Sequence, residues 1–570
     1  MTSENGWVWS EGLPGAEGEF GTGNRSAGAG RLIVTAPQTP PNGFAAAGPD
    51  PEPENVAATA DPRTAVAPPD AVPTAPMAVL ERAPDARPDE CARPSGAGGG
   101  RGWRRHRRGG GDQARLAQGQ ASLPAVSQLS ARRTRPDTVA ASVTIAALVA
   151  LWGAGHVLWG ASVVEGRGST VAEVYILVFA VLAWQVALCL FDRSRRASPA
   201  DAERLARLEV VIAVPCYNED PRLLLRALLS MVRQTRPPSH VYLVDDGSDK
   251  ADYTDVRREF MAAAQEMGVR ASWERTVNRG KRHAQAVAVR ATPDADIYVT
   301  VDSDATLDPR ALAELLEAFA DPRVQSSAGI VLAANNQVNL LTRITDLTYV
   351  TTFLSSRASL SLLGSVLVNS GALAAYRAPV IRDNLDVYLA ETFFGRRISF
   401  SDDSLLTMLA MLRGKTVQRP GAFAFAMMPE RLSHHARQYL RWMRGSFIRA
   451  WWRFRYLPLR SYAYWWHMLW WILNVVMIGL FVNVYVDGVA DGRFRWAFVV
   501  IPVLGAYVMN LRYLTVRRSD EPFWSRLLTW LLAPLAVAWQ VTVMRAWRWY
   551  GALTWWKTGW GTRQDIEVGL

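Results

Sequence analysis

The stretch Ile297-Tyr298-Val299-Thr300-Val301-Asp302-Ser303-Asp304 places five strand-favouring residues directly before two carboxylates. The apolar part predicts a buried β-strand, and the polar part predicts the loop at its carboxyl end. Asp302 and Asp304, separated by one small residue, can present oxygens to one divalent cation such as Mg²⁺ or Mn²⁺, because hard cations prefer oxygen ligands. Such a pair is common in ordinary loops, so its meaning depends on the neighbouring strands.

Two earlier apolar stretches also end in polar clusters. Val210–Val214 is followed by a loop that contains Tyr217, and His240–Val244 is followed by Asp245 and Asp246. Helical patterns lie between and after the strands, at Arg222–Arg233, with Leu224, Leu228 and Met231 on one face, and at Pro309–Phe319. This alternation predicts an α/β domain with a largely parallel sheet over residues 205–430. Since ligands bind at the carboxyl ends of such strands, we expect the polar clusters to meet there.

Further candidates lie between and beyond these strands. Lys281 follows a glycine at a predicted helix start, an arrangement that suits a phosphate but is more often a solvated turn. Asp402 and Asp403 come after a short apolar approach. A carboxylate there can act as a general base on a hydroxyl, and the alternative is a helix cap with a spare charge.

A later helix, within residues 431–460, carries Gln438, Arg441 and Trp442 at positions i, i+3 and i+4. This spacing places the three on one face. Arginine can bind a diphosphate with two hydrogen bonds, and the tryptophan ring offers a flat apolar surface to a sugar. The alternative is a helix at a membrane surface, which we adopt only for Trp451 and Trp452.

The two ends of the chain differ in composition from this central part. The first 136 residues hold 17 of the 32 prolines and 19 of the 42 glycines, which predicts a disordered tail. An arginine-rich cluster at 101–108 could attract anionic lipid, although a solvated cluster without a partner is the simpler interpretation. Two uncharged runs, Thr138–Val164 and Val174–Phe191, predict a pair of transmembrane helices over 137–192 with both basic flanks cytoplasmic.

Apolar segments return after residue 460. Uncharged runs at Ser461–Val486, Trp496–Leu511 and Leu527–Met544 predict membrane helices over 461–556. The last run has basic residues on both sides and Pro534 in its middle, so we expect a re-entrant or interfacial segment broken at this proline. Residues 557–570 form the C-terminal segment.

The net charge is +11, but the basic residues flank apolar runs instead of covering one folded face, which argues against nucleic-acid binding. Three cysteines, at positions 91, 189 and 216, give neither a disulfide framework nor a zinc pattern. No apolar core of a signal peptide is visible in the first 30 residues.

The order of Asp245-Asp246-Gly247, Asp302-Ser303-Asp304, Asp402-Asp403 and Gln438-Tyr439-Leu440-Arg441-Trp442 resembles that of processive family 2 glycosyltransferases, in the hyaluronan and chitin synthase branch. Residues 369–377 are similar to that branch's C-S-G-P-L-x-x-Y-R stretch. Trp560-Gly561-Thr562-Arg563 resembles the W-G-T-R gating loop of hyaluronan synthases. The likeness covers residues 138–563 and favours hyaluronan as the product.

The resemblance implies a GT-A domain inserted between transmembrane helices that form a channel in the cell membrane, with the catalytic domain cytoplasmic. It further implies UDP-sugar donors, a divalent metal, a growing polysaccharide and membrane lipid as partners. Tyr217 and Asp245, beside Asp246, would hold the uridine, and Lys281 and Arg441 would face the diphosphate. Asp304 with Asp302 would bind the metal, Asp403 would be the base, and Trp442 would support the acceptor. Trp560, Thr562 and Arg563 would close over the nucleotide.

The sequence departs from the family at Asn369 and Ala372, at Ser401 and Ser404 beside the paired aspartates, and at Tyr439. Some of these positions contact the acceptor in the family, so the sugars stay open. UDP-GlcNAc and UDP-GlcA are expected for hyaluronan. The alternatives are a chitin-like or other β-glycan synthase that uses one UDP-sugar, a non-processive transferase, and a non-catalytic membrane scaffold.

Overall fold

The structure is a computed structural model of the 570-residue chain. It describes residues 7–10, 31–34, 129–133, 142–149, 152–153, 180–189, 191–192, 196–482, 490 and 497–558. The predicted C-terminal loop at 560–563 and most of the predicted tail therefore lie outside the described residues.

An eight-stranded sheet forms the centre of the described part of the chain. Its strands are β1 Val210–Cys216, β2 His240–Asp245, β3 Arg270–Arg275, β4 Ile297–Thr300, β5 Thr306–Leu307, β6 Val324–Ala333, β7 Ala374–Arg377 and β8 Lys415–Ala426. They lie side by side in the order β3-β2-β1-β4-β7-β6-β8-β5.

The sheet is mixed, which corrects the prediction of a largely parallel one. Strands β3, β2, β1 and β4 are parallel, and β6 is parallel to β8. The short β7 runs antiparallel to both β4 and β6, and β5 runs antiparallel to β8. The direction of a strand depends on the path of the chain between strands. The apolar pattern within a strand does not indicate that path.

Helices cover both faces of this sheet, and six more follow its last strand in the described part of the chain. They are α1 Pro199–Ala206, α2 Pro221–Val232, α3 Thr254–Glu266, α4 Lys281–Ala291, α5 Ala311–Leu316, α6 Leu340–Thr352, α7 Ala358–Leu362, α8 Ala378–Arg382, α9 Leu385–Leu389, α10 Asp402–Arg413, α11 Leu432–Tyr456, α12 Tyr462–Phe481, α13 Ala497–Met509, α14 Phe523–Leu531, α15 Ala533–Trp539 and α16 Arg545–Leu553. Short 3₁₀ turns occur at Glu317–Ala320 and Leu511–Thr515, and π turns at Phe353–Arg357 and Gln540–Met544.

The core explains why the strands are recognisable in the sequence. All four residues of β4 are buried, because helices cover the sheet on both sides and a strand in this position is apolar throughout. The predicted face of α2 packs into the largest apolar cluster, where Leu224, Leu228 and Met231 are fully buried. On the other face, Tyr298 of β4 packs with Leu405 and Leu409 of α10. This packing fixes the strand ends at which the predicted polar loops begin.

The prediction of a disordered tail up to residue 136 is wrong for residues 129–133. Leu129 is fully buried, and Ala131–Arg133 pairs antiparallel with Val516–Arg518. The Ala131 N–H donates to Asp308 Oδ2 at 2.9 Å. The pairing partner lies near the other end of the chain, so no local pattern could indicate it. A second described pair within this segment joins Trp7–Ser10 to Arg31–Val34, also antiparallel.

Among the described residues, no single helix is both long and apolar enough to span a membrane. One bent pair, Phe523–Leu531 followed by Ala533–Leu553, meets the length and composition together, with a bend of 49°. Pro534 is in the first turn after the bend, where its missing N–H costs no helical hydrogen bond. The helix pair therefore bends just before this proline. All the predicted membrane segments, including the re-entrant one, stay predictions.

Candidate active site

A cavity of about 1000 Å³ opens at the carboxyl ends of β1 and β4 and extends along α11. It brings together loops that lie far apart in the sequence. Most of the predicted site residues line it: Tyr217, Asp246, Lys281, Asp302, Asp304, Asp402, Asp403, Gln438, Arg441 and Trp442. The structure therefore brings these residues together around one cavity.

Asp245 is an exception, because it is buried and does not line the cavity. Its Oδ1 accepts a hydrogen bond from the Ser248 N–H at 2.9 Å, so the carboxylate caps the turn that follows β2. The neighbouring Asp246 lines the cavity and accepts from the N–H groups of Arg279 and Gly280, at 2.9 and 2.8 Å. These bonds fix the turn before α4, while burial raises the pKa of Asp246.

Lys281, the first residue of α4, lies between two acidic loops. Its Nζ is 2.7 Å from Asp302 Oδ1 and 2.9 Å from Asp402 Oδ2. Burial alone would lower the pKa of Lys281, but the two carboxylates outweigh it and raise the pKa. The backbone of Gly371 passes so close that a Cβ there would lie 3.2 Å from Nζ. Lys281 thus joins the loop that contains Asp302 to the start of α10, which contains Asp402.

The two neighbouring aspartates differ in their electrostatic environments. Burial would raise the pKa of Asp402, but the nearby Lys281 ammonium outweighs it and lowers the pKa. Burial and the adjacent Asp402 carboxylate raise the pKa of Asp403 to about 7. Asp403 Oδ1 also accepts from the Ser404 N–H at 2.6 Å. The alternative interpretation of a helix cap does not match the structure, because both aspartates lie in the first turn of α10 and its N-cap is Ser401, which makes no side-chain cap hydrogen bond. A raised pKa of this kind suits a general base.

The raised pKa of Asp403 leads to a testable prediction for the pH dependence of kcat. A raised pKa means that Asp403 keeps its proton up to higher pH, so the ionised carboxylate is lost as the pH falls through about 7. If Asp403 is the predicted general base, we expect kcat at saturating substrate to fall about tenfold per pH unit below that value and to level off above it. A rate that stays constant down to about pH 5 would assign the base to a group with an ordinary carboxyl pKa.

Helix α11 forms the opposite wall of the cavity. Gln438, Arg441 and Trp442 line it together, as the spacing predicted. Trp442 is 37% exposed, and its ring centroid is 5.8 Å from that of Tyr349. Trp451 is 52% exposed, in agreement with a surface position. Trp452 is buried instead, because its Nε1 donates to Glu391, which corrects the surface interpretation for this residue.

A close backbone contact joins α11 to the loop of the paired aspartates. A Cβ on Gly445 would overlap the hydroxyl of Ser401. The backbone of Ser401 has a φ of 55°, which lies in the left-handed region. Only glycine at 445 lets the helix approach the residue just before Asp402 and Asp403. The sequence analysis did not identify Gly445. A glycine in the interior of a long helix, four residues after Arg441, was the available signal.

Several arginines also line the cavity. Arg441, Arg449 and Arg453 are on α11, and Arg545 and Arg548 are on α16. The Arg548 guanidinium lies 4.3 Å from the centroid of the Trp470 ring. The lining carboxylates are concentrated on the strand-end loops and at the start of α10. Carboxylates and arginines therefore line the same cavity, and they meet at the start of α10, where Arg449 Nε donates to the hydroxyl of Ser404 next to Asp403.

The carboxylates on the strand-end loops are the groups that could hold a divalent cation. Asp302 and Asp304 both line the cavity, but no group of three or more His, Cys, Asp or Glu side chains suited to a metal ion occurs in the described ranges. Two carboxylates fit Mg²⁺ or Mn²⁺ only if the substrate supplies further ligands, as phosphates commonly do. Asp302 Oδ1 is also bonded to Lys281, so the lysine and a cation would share this carboxylate.

The last described residues approach the same cavity. Trp555 packs on Phe393 and Phe394, with ring centroids 5.1 and 5.5 Å apart. The Ser399 hydroxyl, on the cavity wall, donates to the carbonyl oxygen of Thr558 at 3.1 Å. Trp560, Thr562 and Arg563 lie outside the described residues, and their predicted role stays a prediction.

Comparisons with known proteins agree with this arrangement. Residues 206–445 match the family model described as glycosyltransferase-like family 2. The hyaluronan synthase of Streptococcus pyogenes serotype M3 is 32% identical over 407 residues, which cover 70% of this chain and 92% of that protein. An N-acetylglucosaminyltransferase of Azorhizobium caulinodans is 34% identical over 241 residues, 42% of this chain and 59% of that protein.

A solved mannosyltransferase from Pyrobaculum calidifontis, in complex with GDP-Man and Mn²⁺, aligns with 73% of this chain and 99% of its own. Its identity of 17% and TM-score of 0.41 are too low to support any argument. The fold, the site and the sequence relatives together define a UDP-sugar-dependent glycosyltransferase with a GT-A domain. The chain belongs to the family 2 glycosyltransferases, in the branch of the hyaluronan synthases.

Proposed function

We propose that the protein is a processive membrane synthase that polymerises UDP-GlcNAc and UDP-GlcA into hyaluronan and exports the chain. The observation that carries the proposal is one cavity that is lined by carboxylates on the strand-end loops and by Trp442 and several arginines on α11 and α16. The carboxylates suit a metal-bound nucleotide diphosphate, and the arginines of α16 suit an acceptor that carries carboxylates. The relative named above that matches over most of its own length is a hyaluronan synthase, which supports the same product.

At the donor end, Tyr217 and the loop of Asp245 and Asp246 would bind the uridine. Lys281 and Arg441 would contact the diphosphate, to which arginine can donate two parallel hydrogen bonds. Asp302 and Asp304 would hold Mg²⁺ or Mn²⁺, which supplies charge neutralisation for the departing diphosphate. Lys281 would then divide its contacts between the diphosphate and the carboxylates that it bridges.

At the acceptor end, the Trp442 ring would support the terminal sugar next to Asp403. Asp403 would take the proton from the acceptor hydroxyl while the hydroxyl oxygen attacks the anomeric carbon of the donor. The bond from this carbon to the diphosphate breaks, UDP leaves, and the configuration inverts. Asp402, kept ionised by Lys281, raises the proton affinity of Asp403 and is not itself the acceptor of the proton.

The proposal places the GT-A domain on the cytoplasmic side of the cell membrane. The bent pair of helices after Phe523, together with α12, would lie in or on the lipid and continue the cavity into a channel. Arg545 and Arg548 line the cavity beside Trp470, where they would contact the growing polysaccharide.

Incubation of membranes that contain the protein with each donor alone, and with both, tests this function. We expect polymer only when UDP-GlcNAc and UDP-GlcA are both present. Polymer from UDP-GlcNAc alone would favour a chitin-like product, an alternative that the N-acetylglucosaminyltransferase relatives support. Addition of a single sugar would identify a non-processive transferase.

A further inference from the structure

A buried carboxylate outside the cavity connects three parts of the site. Glu391 has no exposed side-chain surface and is not part of the cavity wall. It accepts hydrogen bonds from Arg282 at 2.7 Å, from Arg449 at 2.7 and 3.2 Å, and from Trp452 Nε1 at 3.2 Å. Burial would raise the pKa of Glu391, but the two guanidinium groups outweigh it and lower the pKa, so the carboxylate is ionised.

The two arginines also hold both ends of the loop that carries the paired aspartates. Arg282 Nη2 donates to the carbonyl oxygen of Phe400 at 2.6 Å, just before Ser401. Arg449 Nε donates to the hydroxyl of Ser404 at 3.2 Å, just after Asp403. The loop is thus held at both ends by guanidinium groups that share one carboxylate.

Each partner of Glu391 belongs to an element that supplies residues of the cavity wall. Arg282 directly follows Lys281 in α4, and Lys281 bridges the two acidic loops. Arg449 and Trp452 lie on α11, the helix whose cavity face carries the predicted acceptor-binding residues. The contacts of this one carboxylate therefore connect the donor side of the cavity to the acceptor side.

We propose that Glu391 is a positioning residue, which sets the base loop against the acceptor-binding face of α11 through Arg282 and Arg449. The proposal rests on the proposed function, in which Asp403 takes a proton from an acceptor on α11. Glu391 lies outside the cavity wall, so its effect on a bound substrate must pass through the loop and the helix. Misplacement of a reacting group by 1 Å can cost about 10²-fold in rate, so a small shift of the loop suffices.

Arg449→Lys provides the main test, because lysine keeps the positive charge beside Glu391 but lacks the planar fork that reaches both the carboxylate and Ser404. We expect kcat per UDP-binding site to fall about tenfold or more while donor KM and the Kd of UDP change less than about twofold. Glu391→Gln removes the shared charge, and we expect a larger loss of kcat with the same small change in UDP binding.

Arg419→Lys is the matched control. Arg419 is similarly buried and pairs with Glu317 at 2.9 Å, but it lies outside the cavity wall. We expect wild-type kcat for this variant. A purely structural role for Glu391 predicts less folded protein with normal kcat per site. If Arg449→Lys has the kcat of Arg419→Lys, the proposal is wrong, even if Glu391→Gln does not fold. Polymer formation by the wild-type protein tests the proposed function separately. The inference about Glu391 concerns only the ratio of the kcat of each variant to the kcat of the wild-type protein.

Discussion

Replacement of Asp403 by asparagine is expected to reduce sugar transfer by about 10²–10⁴-fold, the usual effect of losing a general base. The amide keeps the shape of the side chain but cannot accept the proton of the acceptor hydroxyl. UDP binding should stay nearly unchanged, because the predicted nucleotide contacts lie on other loops. Transfer rates and the Kd of UDP, measured on the same membrane preparation, check both parts of the prediction.

Asp386→Asn is a suitable control, because this aspartate is exposed in the first turn of α9 and does not line the cavity. It should leave both transfer and UDP binding at wild-type values. Wild-type turnover in Asp403→Asn would contradict the assignment and would make Asp402 the next candidate. The structure makes Asp402 the weaker choice, since its ion pair with Lys281 lowers its pKa and its affinity for a proton.

Truncation after Lys557 is expected to lower transfer by about 10–100-fold without loss of membrane insertion. Arg563 would contribute hydrogen bonds to the diphosphate, and bonds to charged groups are worth about 1.5–3 kcal/mol each. The truncation also removes Thr558, whose carbonyl oxygen accepts from Ser399 on the cavity wall. Because a closed site excludes water, the truncated protein should release more UDP per sugar polymerised.

Truncation after Arg563 is the control, since it keeps the Trp560-Gly561-Thr562-Arg563 motif and removes only the last seven residues. It should retain full transfer. Full polymer yield after truncation at Lys557 would show that the motif is accidental, and the sequence argument for hyaluronan over other β-glycans would lose its main support. An equal loss in both truncated proteins would assign the effect to residues 564–570.

The sequence predicted those parts of the structure that have a local pattern. Apolar runs identified β1, β2 and β4, and most of the polar residues predicted at their ends line the cavity. Helical spacing identified the face formed by Gln438, Arg441 and Trp442. In each case the signal and the structural feature lie within a few residues of each other.

Features that depend on distant contacts were not predicted. The direction of β7, the pairing of Ala131–Arg133 with Val516–Arg518, and the role of Glu391 all join segments that lie far apart in the chain. Lys281 was expected to face a diphosphate, and its position between Asp302 and Asp402 depends on three loops at once. Asp245 carries the same charge as Asp246, and only the turn geometry separates their environments.

The composition of the polymer tests the central claim most directly. The protein is reconstituted in lipid with Mg²⁺ or Mn²⁺ and supplied with UDP-GlcNAc and UDP-GlcA that carry different radioactive labels. The high-molecular-weight product is then isolated and counted for both. We expect equal amounts of the two sugars, and no labelled polymer from the Asp403→Asn protein prepared in parallel. Polymer that contains only one of the two sugars would contradict the account.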